Sequence, residues 1–138
     1  MPSAPDPHLL SIPASLNELA HVHDWVKAVL GTVGVPESDR YNILLATSEA
    51  VTNAIRHGAN EDPDRQVRIT IAQDAHGVSI AVEDDGAGFL PDAIPDPTHG
   101  PQLYQAGGRG IYLLKALASD VEFRVSQDGT TVVCRFKT

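Results

Sequence analysis

Residues 67–82 read VRITIAQDAHGVSIAV, and this stretch indicates a β-hairpin with one buried face. Apolar residues alternate with other residues on both sides of a turn at Asp74 to Gly77. Because successive side chains of a strand point to opposite faces, this alternation directs one apolar face towards a core. Residues 121–136 alternate in the same way around Asp128-Gly129, a dipeptide that favours a two-residue hairpin turn. The sequence therefore predicts two antiparallel strand pairs.

Apolar residues at helical spacing precede the first hairpin. Ser15-Leu16-Asn17-Glu18 is a capping-box pattern that begins one helix, and Gly31 is its expected stop. A second helix is expected from Pro36, a favoured first-turn residue, to Gly58. The apolar stripe of this second helix consists of Tyr41, Leu44, Leu45, Ser48, Val51 and Ile55. Its side of small residues consists of Ala46, Ala50 and Ala54.

The order of the predicted elements indicates the fold class. A short strand over residues 8–12 comes first, and a short helix over residues 111–119 precedes the last hairpin. Helices and strand pairs are segregated along the chain, which favours an α+β fold, a mostly antiparallel sheet with its helices on one face. Residues 1–7 contain three prolines and are expected to form a flexible N-terminal arm, and residues 8–138 a single domain.

Composition and charge exclude several classes of protein. The chain has 138 residues, 42% hydrophobic and 20% charged, which suits one globular domain with one core. A formal net charge of -8 argues against nucleic acid as a partner, because such a partner requires a basic face. The single cysteine, Cys134, cannot form an internal disulfide or a zinc cluster. No apolar run approaches the roughly 20 residues of a membrane span, and the first residues lack the basic region of a signal peptide. We therefore expect a cytoplasmic protein without a membrane partner.

One polar stripe on the second helix could carry chemistry. Glu49, Asn53 and His57 are spaced at i, i+4 and i+8, so they share one helix face. A solvated helix face is the more common explanation of such a stripe, but the apolar neighbours of these residues indicate a mostly buried helix. A carboxamide and a carboxylate one turn apart suit a hard cation such as Mg²⁺, with the Asn oxygen as ligand and the Glu as a base.

Two glycine-rich segments complete the candidate site. Asp84-Asp85-Gly86-Ala87-Gly88 follows a strand, and its glycines would let the backbone approach a ligand, although a plain turn has the same pattern. Gly107-Gly108-Arg109-Gly110 leads into a helix, whose free N-terminal amides attract an anion. Ile111 stands where a P-loop requires lysine. Between the two segments the chain is rich in proline and glycine without an apolar period, which is typical of a functional lid or binding loop.

These three motifs, in this order, resemble the N, G1 and G2 boxes of the Bergerat ATP-binding fold. The segments are EAVTNAIRHG at 49–58, DDGAGF at 84–89 and GRGI at 108–111. The superfamily includes gyrase, MutL and the histidine kinases, and the closer resemblance is to the small bacterial anti-sigma-factor serine kinases. The resemblance runs from about His8 to the C-terminus. It implies a two-layer α/β sandwich in which the helices and a lid between Phe89 and Gly107 enclose ATP.

The resemblance also implies a role for each motif residue. Asp84 would accept a hydrogen bond from the adenine amino group, and Gly86 and Gly88 would shape the wall beside the base. Asn53 would hold Mg²⁺ between the phosphates, and Glu49 would be the general base.

The remaining roles concern the phosphates and the late strand. Gly108 and Gly110 would contact the phosphates through their backbone, with Arg109 and His57 as auxiliary charges. Gly129-Thr130-Thr131 matches the late strand whose threonine supports the adenine, and either threonine fits this role.

The implied function is an ATP-dependent protein serine/threonine kinase of the anti-sigma-factor type. It would phosphorylate a small antagonist protein, bind a sigma factor and so regulate transcription, and a homodimer is a further expectation. A base beside the γ-phosphate can accept a proton from a Ser or Thr hydroxyl or from water, so the same site serves a kinase or a slow ATPase. The alternatives are an ATP-gated or non-catalytic protein-binding module and an isolated histidine-kinase-like ATPase domain. Intact Glu49 and Asn53 favour catalysis.

Overall fold

The computed structural model describes residues 6–59, 61–85, 110–126 and 129–138. In this part of the chain, five strands form one sheet in the order β1-β2-β3-β5-β4, and each neighbouring pair is antiparallel. The strands are β1 (His8–Pro13), β2 (Gln66–Gln73), β3 (Gly77–Asp84), β4 (Asp120–Ser126) and β5 (Gly129–Lys137). The helices are α1 (Leu19–Thr32), α2 (Glu37–Asn53) and α3 (Gly110–Leu117).

The core lies between one face of the sheet and the helices, which confirms the predicted α+β class. Alternate residues of β2, β3 and β5 are buried and join the helix side chains in one hydrophobic cluster. The sheet members of this cluster include Val67, Ile69, Ile71, Val78, Ile80, Val82, Val132, Cys134 and Phe136. A slip of one residue in any strand would turn this face to solvent, so the burial pattern fixes the register.

Both predicted hairpins are present. In the first, the Asp74 side chain accepts hydrogen bonds from the amides of His76 (2.7 Å) and Gly77 (3.0 Å), which closes the turn between β2 and β3. These backbone hydrogen bonds, led by that from His76, hold the pKa of Asp74 below its ordinary value. In the second hairpin, Ser126 of β4 pairs with Gly129 of β5, so Gly129 is the first residue of a strand and not part of the turn as predicted.

The start of α1 follows the serine half of the predicted capping box, but the Ser15 amide bonds the Pro13 carbonyl (2.8 Å) instead of the Glu18 side chain. The end of α1 does not follow the predicted stop. The Ser15 hydroxyl accepts a hydrogen bond from the Asn17 amide (3.3 Å), and a single 3-10 turn precedes the α-helix. Gly31 lies within α1. The chain reverses at Gly34, whose φ of 75° suits glycine, and the Val35 amide then bonds the Leu30 carbonyl (3.1 Å).

The prediction of the buried side of α2 was wrong at its start. Tyr41 is 69% exposed, and Leu44 and Leu45 are half-buried. The buried residues of α2 are instead Ile43, Ala46, Thr47, Ala50, Val51 and Asn53. Because α2 contacts α1, α3 and the sheet, its small residues form the side that neighbours approach most closely.

The end of α2 is not regular α-helix, and α3 ends earlier than predicted. The predicted end at Gly58 is correct, but residues Ala54–Gly58 form a π-helical turn, with the Ala59 amide bonded to the Ala54 carbonyl at 2.9 Å. The α3 helix ends before the predicted Ser119, because the Ser119 amide bonds the Arg135 carbonyl of β5 (2.7 Å).

Within the described residues, no helix combines the length and apolar character needed to cross a membrane.

Candidate functional site

The candidate site lies where the C-terminal end of α2 meets the end of β3 and the start of β5. Asp84, the last residue of β3, lies opposite Thr130 of β5. The π-helical turn that follows α2 contacts both strands. Predicted residues that are distant in sequence are therefore brought to one end of the sheet.

Asp84 is buried against the π-helical turn. It is 2% exposed, and the backbone of Gly58 lies directly against its carboxylate. A Cβ atom at position 58 would overlap Oδ2 and Cγ of Asp84 and would lie 2.9 Å from Oδ1. π-helical turns occur frequently at functional sites.

A second glycine encloses Asp84 from the side of β5. Gly129 has a φ of 140°, a conformation that L side chains rarely adopt. A Cβ atom there would overlap the Asp84 carbonyl oxygen and lie 3.3 Å from Oδ1. Asp84 thus has a glycine against its carboxylate and another against its main chain.

The structure separates the two threonines that the sequence left open. Thr130 is 2% exposed and lies on the same face of the sheet as Asp84. Thr131 is on the opposite face, where its hydroxyl is 3.5 Å from Glu83 Oε2 as a hydrogen-bond donor. Thr130 is therefore the threonine that lies beside Asp84.

Asn53 is buried at the end of the α-helical part of α2. It is 8% exposed, and within the described residues its Nδ2 atom has no hydrogen-bond partner. A buried amide without a hydrogen-bond partner lowers the free energy of unfolding by about 1–3 kcal/mol, and contact with a bound ligand is one explanation of such a group in a folded core. Since an amide can rotate to exchange its nitrogen and oxygen, Asn53 can offer either atom to a bound group.

Glu49 precedes Asn53 by one helical turn and is half-buried. Among the residues that the structure describes, the Glu49 side chain has no hydrogen-bond or ion-pair partner. The preceding Ser48 is tied to α1, because its hydroxyl lies 2.6 Å from Nε2 of His23. His57 is half-buried in the π-helical turn. The polar stripe predicted on this helix thus lies in a largely buried setting, with Glu49 available to a ligand.

Asp85 has a different position from its neighbour Asp84. Its Oδ1 accepts a hydrogen bond from the Gln66 amide (2.8 Å), and its carbonyl accepts one from Nη1 of Arg65 (2.7 Å). These contacts hold the end of β3 to the start of β2. Asp85 therefore fixes the backbone from which the first glycine-rich segment begins.

Residues 12–136 match the family described as histidine kinase-like ATPase domain. The chain belongs to this family.

Curated relatives agree with the family assignment. The chain is 27% identical over 129 residues to the "Serine-protein kinase RsbW" of Bacillus velezensis. The aligned segment covers 89% of the chain and 80% of the relative. It is 39% identical over 90 residues to the "Anti-sigma F factor" of Heyndrickxia coagulans, and this alignment covers 62% of the chain and 60% of that protein. These matches confirm the predicted resemblance to anti-sigma-factor kinases.

A solved structure has the same fold. The crystal structure of the RsbU and RsbW domains from Mycobacterium tuberculosis matches with a TM-score of 0.69 at 24% identity. The match covers 97% of this chain and 35% of the other chain. At this identity the likeness shows the fold alone.

Several of the predicted site residues lie outside the part of the chain that the structure describes. Gly86, Gly88, Gly108 and Arg109 lie outside the described residues, and Gly110 is the first residue of α3. The predicted lid lies outside them as well.

Sequence reasoning missed the contacts of Gly58 and Asp85. Gly58 was interpreted as a helix stop, and nothing local indicates that it contacts Asp84. The role of Asp85 has a local signal, because alternation along β3 puts Asp84 and Asp85 on opposite faces of the strand.

Proposed function

We propose that the chain is an ATP-dependent protein serine kinase that phosphorylates a small antagonist protein and binds a sigma factor. The family match and the relatives named as serine-protein kinases and anti-sigma factors support this function. The observation that carries the proposal is the Asp84 carboxylate, which is 2% exposed and enclosed by two glycines at one end of the sheet.

Asp84 is suited to recognise the adenine of ATP. An ionised carboxylate is an acceptor without donors, so it selects a ligand group that donates, such as the adenine amino group. Thr130, on the same face of the sheet, adds a hydroxyl that can donate or accept beside the base. The absence of side chains at Gly58 and Gly129 leaves the room that the Asp84 residue occupies.

Asn53 is suited to hold the magnesium ion that accompanies ATP. Mg²⁺ prefers oxygen ligands, and the Asn53 side chain supplies one at the end of α2. While Oδ1 ligates the ion, the Nδ2 atom without a partner could donate to a phosphate oxygen or to a water of the ion. When bound, Mg²⁺ would neutralise charge on the phosphates during transfer.

Glu49 is the proposed general base. It would accept the proton of a serine or threonine hydroxyl presented by the antagonist protein, while the oxygen of that hydroxyl forms a bond to the γ-phosphorus and ADP leaves. Its half-buried position without a partner among the described residues supports this role, because a base must be free of competing hydrogen bonds. His57 and Arg109 are proposed as auxiliary charges near the phosphates, where Gly108 and Gly110 would donate backbone amides.

The remaining proposals concern partners and compartment. We propose that the antagonist and the sigma factor are both proteins of the cytoplasm, that the chain works there, and that it forms a homodimer. The net charge of -8 supports protein partners over nucleic acid.

A phosphotransfer assay tests the function. The purified chain would be incubated with labelled Mg-ATP and a small antagonist protein that carries the acceptor serine or threonine. Glu49→Gln should lower the rate of transfer by about 10²–10⁴, the usual contribution of a positioned base, without loss of ATP binding. Glu37→Gln is the matched control, since Glu37 lies in the first turn of the same helix.

Two results would contradict the proposal. Undiminished transfer by Glu49→Gln would remove Glu49 as the base. An intact chain that binds the sigma factor in an ATP-dependent manner but transfers no phosphate would be the ATP-gated binding module.

A further inference from the structure

We propose that Gly58 is a positioning residue that determines the selectivity of the site for a purine with a 6-amino group. Because Gly58 has no side chain, the Asp84 carboxylate can occupy the space beside it, and this position determines which base the carboxylate can bind. The inference rests on the proposed adenine contact of Asp84, and the experiment below separates the two.

The backbone of Gly58 does not itself require glycine. Among the described glycines, positive φ angles occur at Gly34, Gly77 and Gly129. Gly58 ends a helical turn with φ outside that range, so an alanine there meets no backbone strain. The reason for glycine at position 58 is therefore a neighbouring group.

That neighbouring group is the Asp84 carboxylate. The three atoms nearest to a Cβ built on Gly58 are Oδ2, Cγ and Oδ1 of Asp84, and the first two would overlap it. Gly31, which lies in α1, offers the contrast, because a Cβ there has no other atom within 4 Å.

The π-helical turn has little freedom to move away from Asp84. The Ala59 amide bonds the Ala54 carbonyl at 2.9 Å, and the Glu61 amide bonds the Ile55 carbonyl at 2.7 Å. Ile55 and Ala59 are 0% and 1% exposed. Since the Asp84 main chain is also held by the sheet and by Gly129, the side-chain torsions of Asp84 are the easiest degree of freedom to change.

A methyl group at position 58 would thus rotate the carboxylate away from its place. Hydrogen bonds weaken steeply with distance and angle, so a displaced carboxylate would no longer bond the amino group of the base. The contacts of the ribose and phosphates would not depend on this rotation. The loss should therefore be specific to the 6-amino group.

The test compares two nucleotides by calorimetric titration in the presence of Mg²⁺. One is ATP, and the other is purine riboside triphosphate, which is ATP without the 6-amino group. The native chain should prefer ATP by about 10-fold or more, the effect of one hydrogen bond to a charged group. Gly58→Ala should remove this preference with little change in affinity for the analogue, and Gly31→Ala should keep it. Equal weakening of both nucleotides by Gly58→Ala would overturn the inference.

Asp84→Asn in the same titration distinguishes the inference from the proposed function. If Asp84→Asn keeps the preference for ATP, the adenine assignment of Asp84 fails. If Asp84→Asn loses the preference and Gly58→Ala keeps it, the adenine assignment stands and the role of Gly58 fails.

A double variant covers the case in which Gly58→Ala does not fold. Removal of the carboxylate removes the overlap, so Gly58→Ala combined with Asp84→Ala should melt at nearly the temperature of Asp84→Ala alone. A double variant as unstable as Gly58→Ala would show that another neighbour excludes the side chain, and would overturn the inference.

Discussion

Asp84 and Thr130 lie directly opposite each other in the β3–β5 pair, and both side chains are buried on the face of the sheet that carries the core. The next pair along the two strands, Glu83 and Thr131, has its side chains on the other face. One strand pair thus presents the same two residue types, a carboxylate and a threonine, to two different environments.

The first prediction separates the two threonines. Thr130→Val keeps the shape of the side chain and removes its hydroxyl, so ATP affinity should fall about 3- to 10-fold, the effect of one hydrogen bond. Thr131→Val is the matched control and should leave ATP affinity unchanged. Calorimetric titration measures both, and a larger loss for Thr131→Val would reverse the assignment.

The second prediction separates the two adjacent aspartates. Asp84→Asn should abolish detectable ATP binding, because the amide can place a donor against the adenine amino group. Asp85→Asn should bind ATP normally, since its side-chain oxygen can still accept from the Gln66 amide. The measurement is ATP titration with circular dichroism as the check of folding. Undiminished ATP affinity in Asp84→Asn would exclude the proposed adenine contact.

The third prediction concerns the hydrogen bond between α1 and α2. Ser48→Ala removes the hydroxyl that lies 2.6 Å from His23 Nε2, and should lower the free energy of unfolding by about 1 kcal/mol. Ser38→Ala is the control, because Ser38 is an exposed serine of the same helix. Urea denaturation compares the two. If they have equal stability, the contact with His23 contributes nothing.

The fourth prediction concerns the buried thiol. Burial, with a smaller effect from the charge of Asp120, raises the pKa of Cys134 to about 12. In the unfolded chain the thiol has an ordinary pKa of about 8.5, so between about pH 8.5 and 12 the unfolded chain loses the thiol proton while the native chain keeps it. The free energy of unfolding should therefore decrease as pH rises from about 9 to 12, by up to about 1.4 kcal/mol for each pH unit.

Comparison with Cys134→Ala isolates this contribution, because other groups also titrate in alkali. Denaturant unfolding at several pH values should show a weaker pH dependence in the variant than in the native chain. The same dependence in both chains would mean that the thiol ionises alike when folded and unfolded.

The sequence predicted those parts of the fold that depend on local periodicity. The alternation at Val67, Ile69 and Ile71 was sufficient to predict a hairpin, because a period of two places these side chains on one face. The same reasoning placed Tyr41 in an apolar stripe, which was wrong. Helical periodicity allows more than one candidate face on this helix, and packing buries the face of Ile43, Ala46 and Ala50.

The candidate site was predictable as an ordered set of motifs, while its contacts were not. The choice between Thr130 and Thr131 had a signal in the sequence, because Thr130 shares its strand parity with the buried Val132 and Cys134. The contact between Gly58 and Asp84 had none, because it joins the end of a helix to the end of a strand. Tertiary structure alone brings the two together.

The π-helical turn makes the end of α2 sensitive to the number of residues as well as to their identity. Its hydrogen bond spans one residue more than the hydrogen bonds of an α-helix, as the bond between Ala59 and Ala54 shows. Loss of a single residue between Asn53 and Gly58 would let the segment continue as regular α-helix. The chain would then arrive at the sheet with a different residue facing Asp84, so that the spacing of this motif is itself a structural requirement.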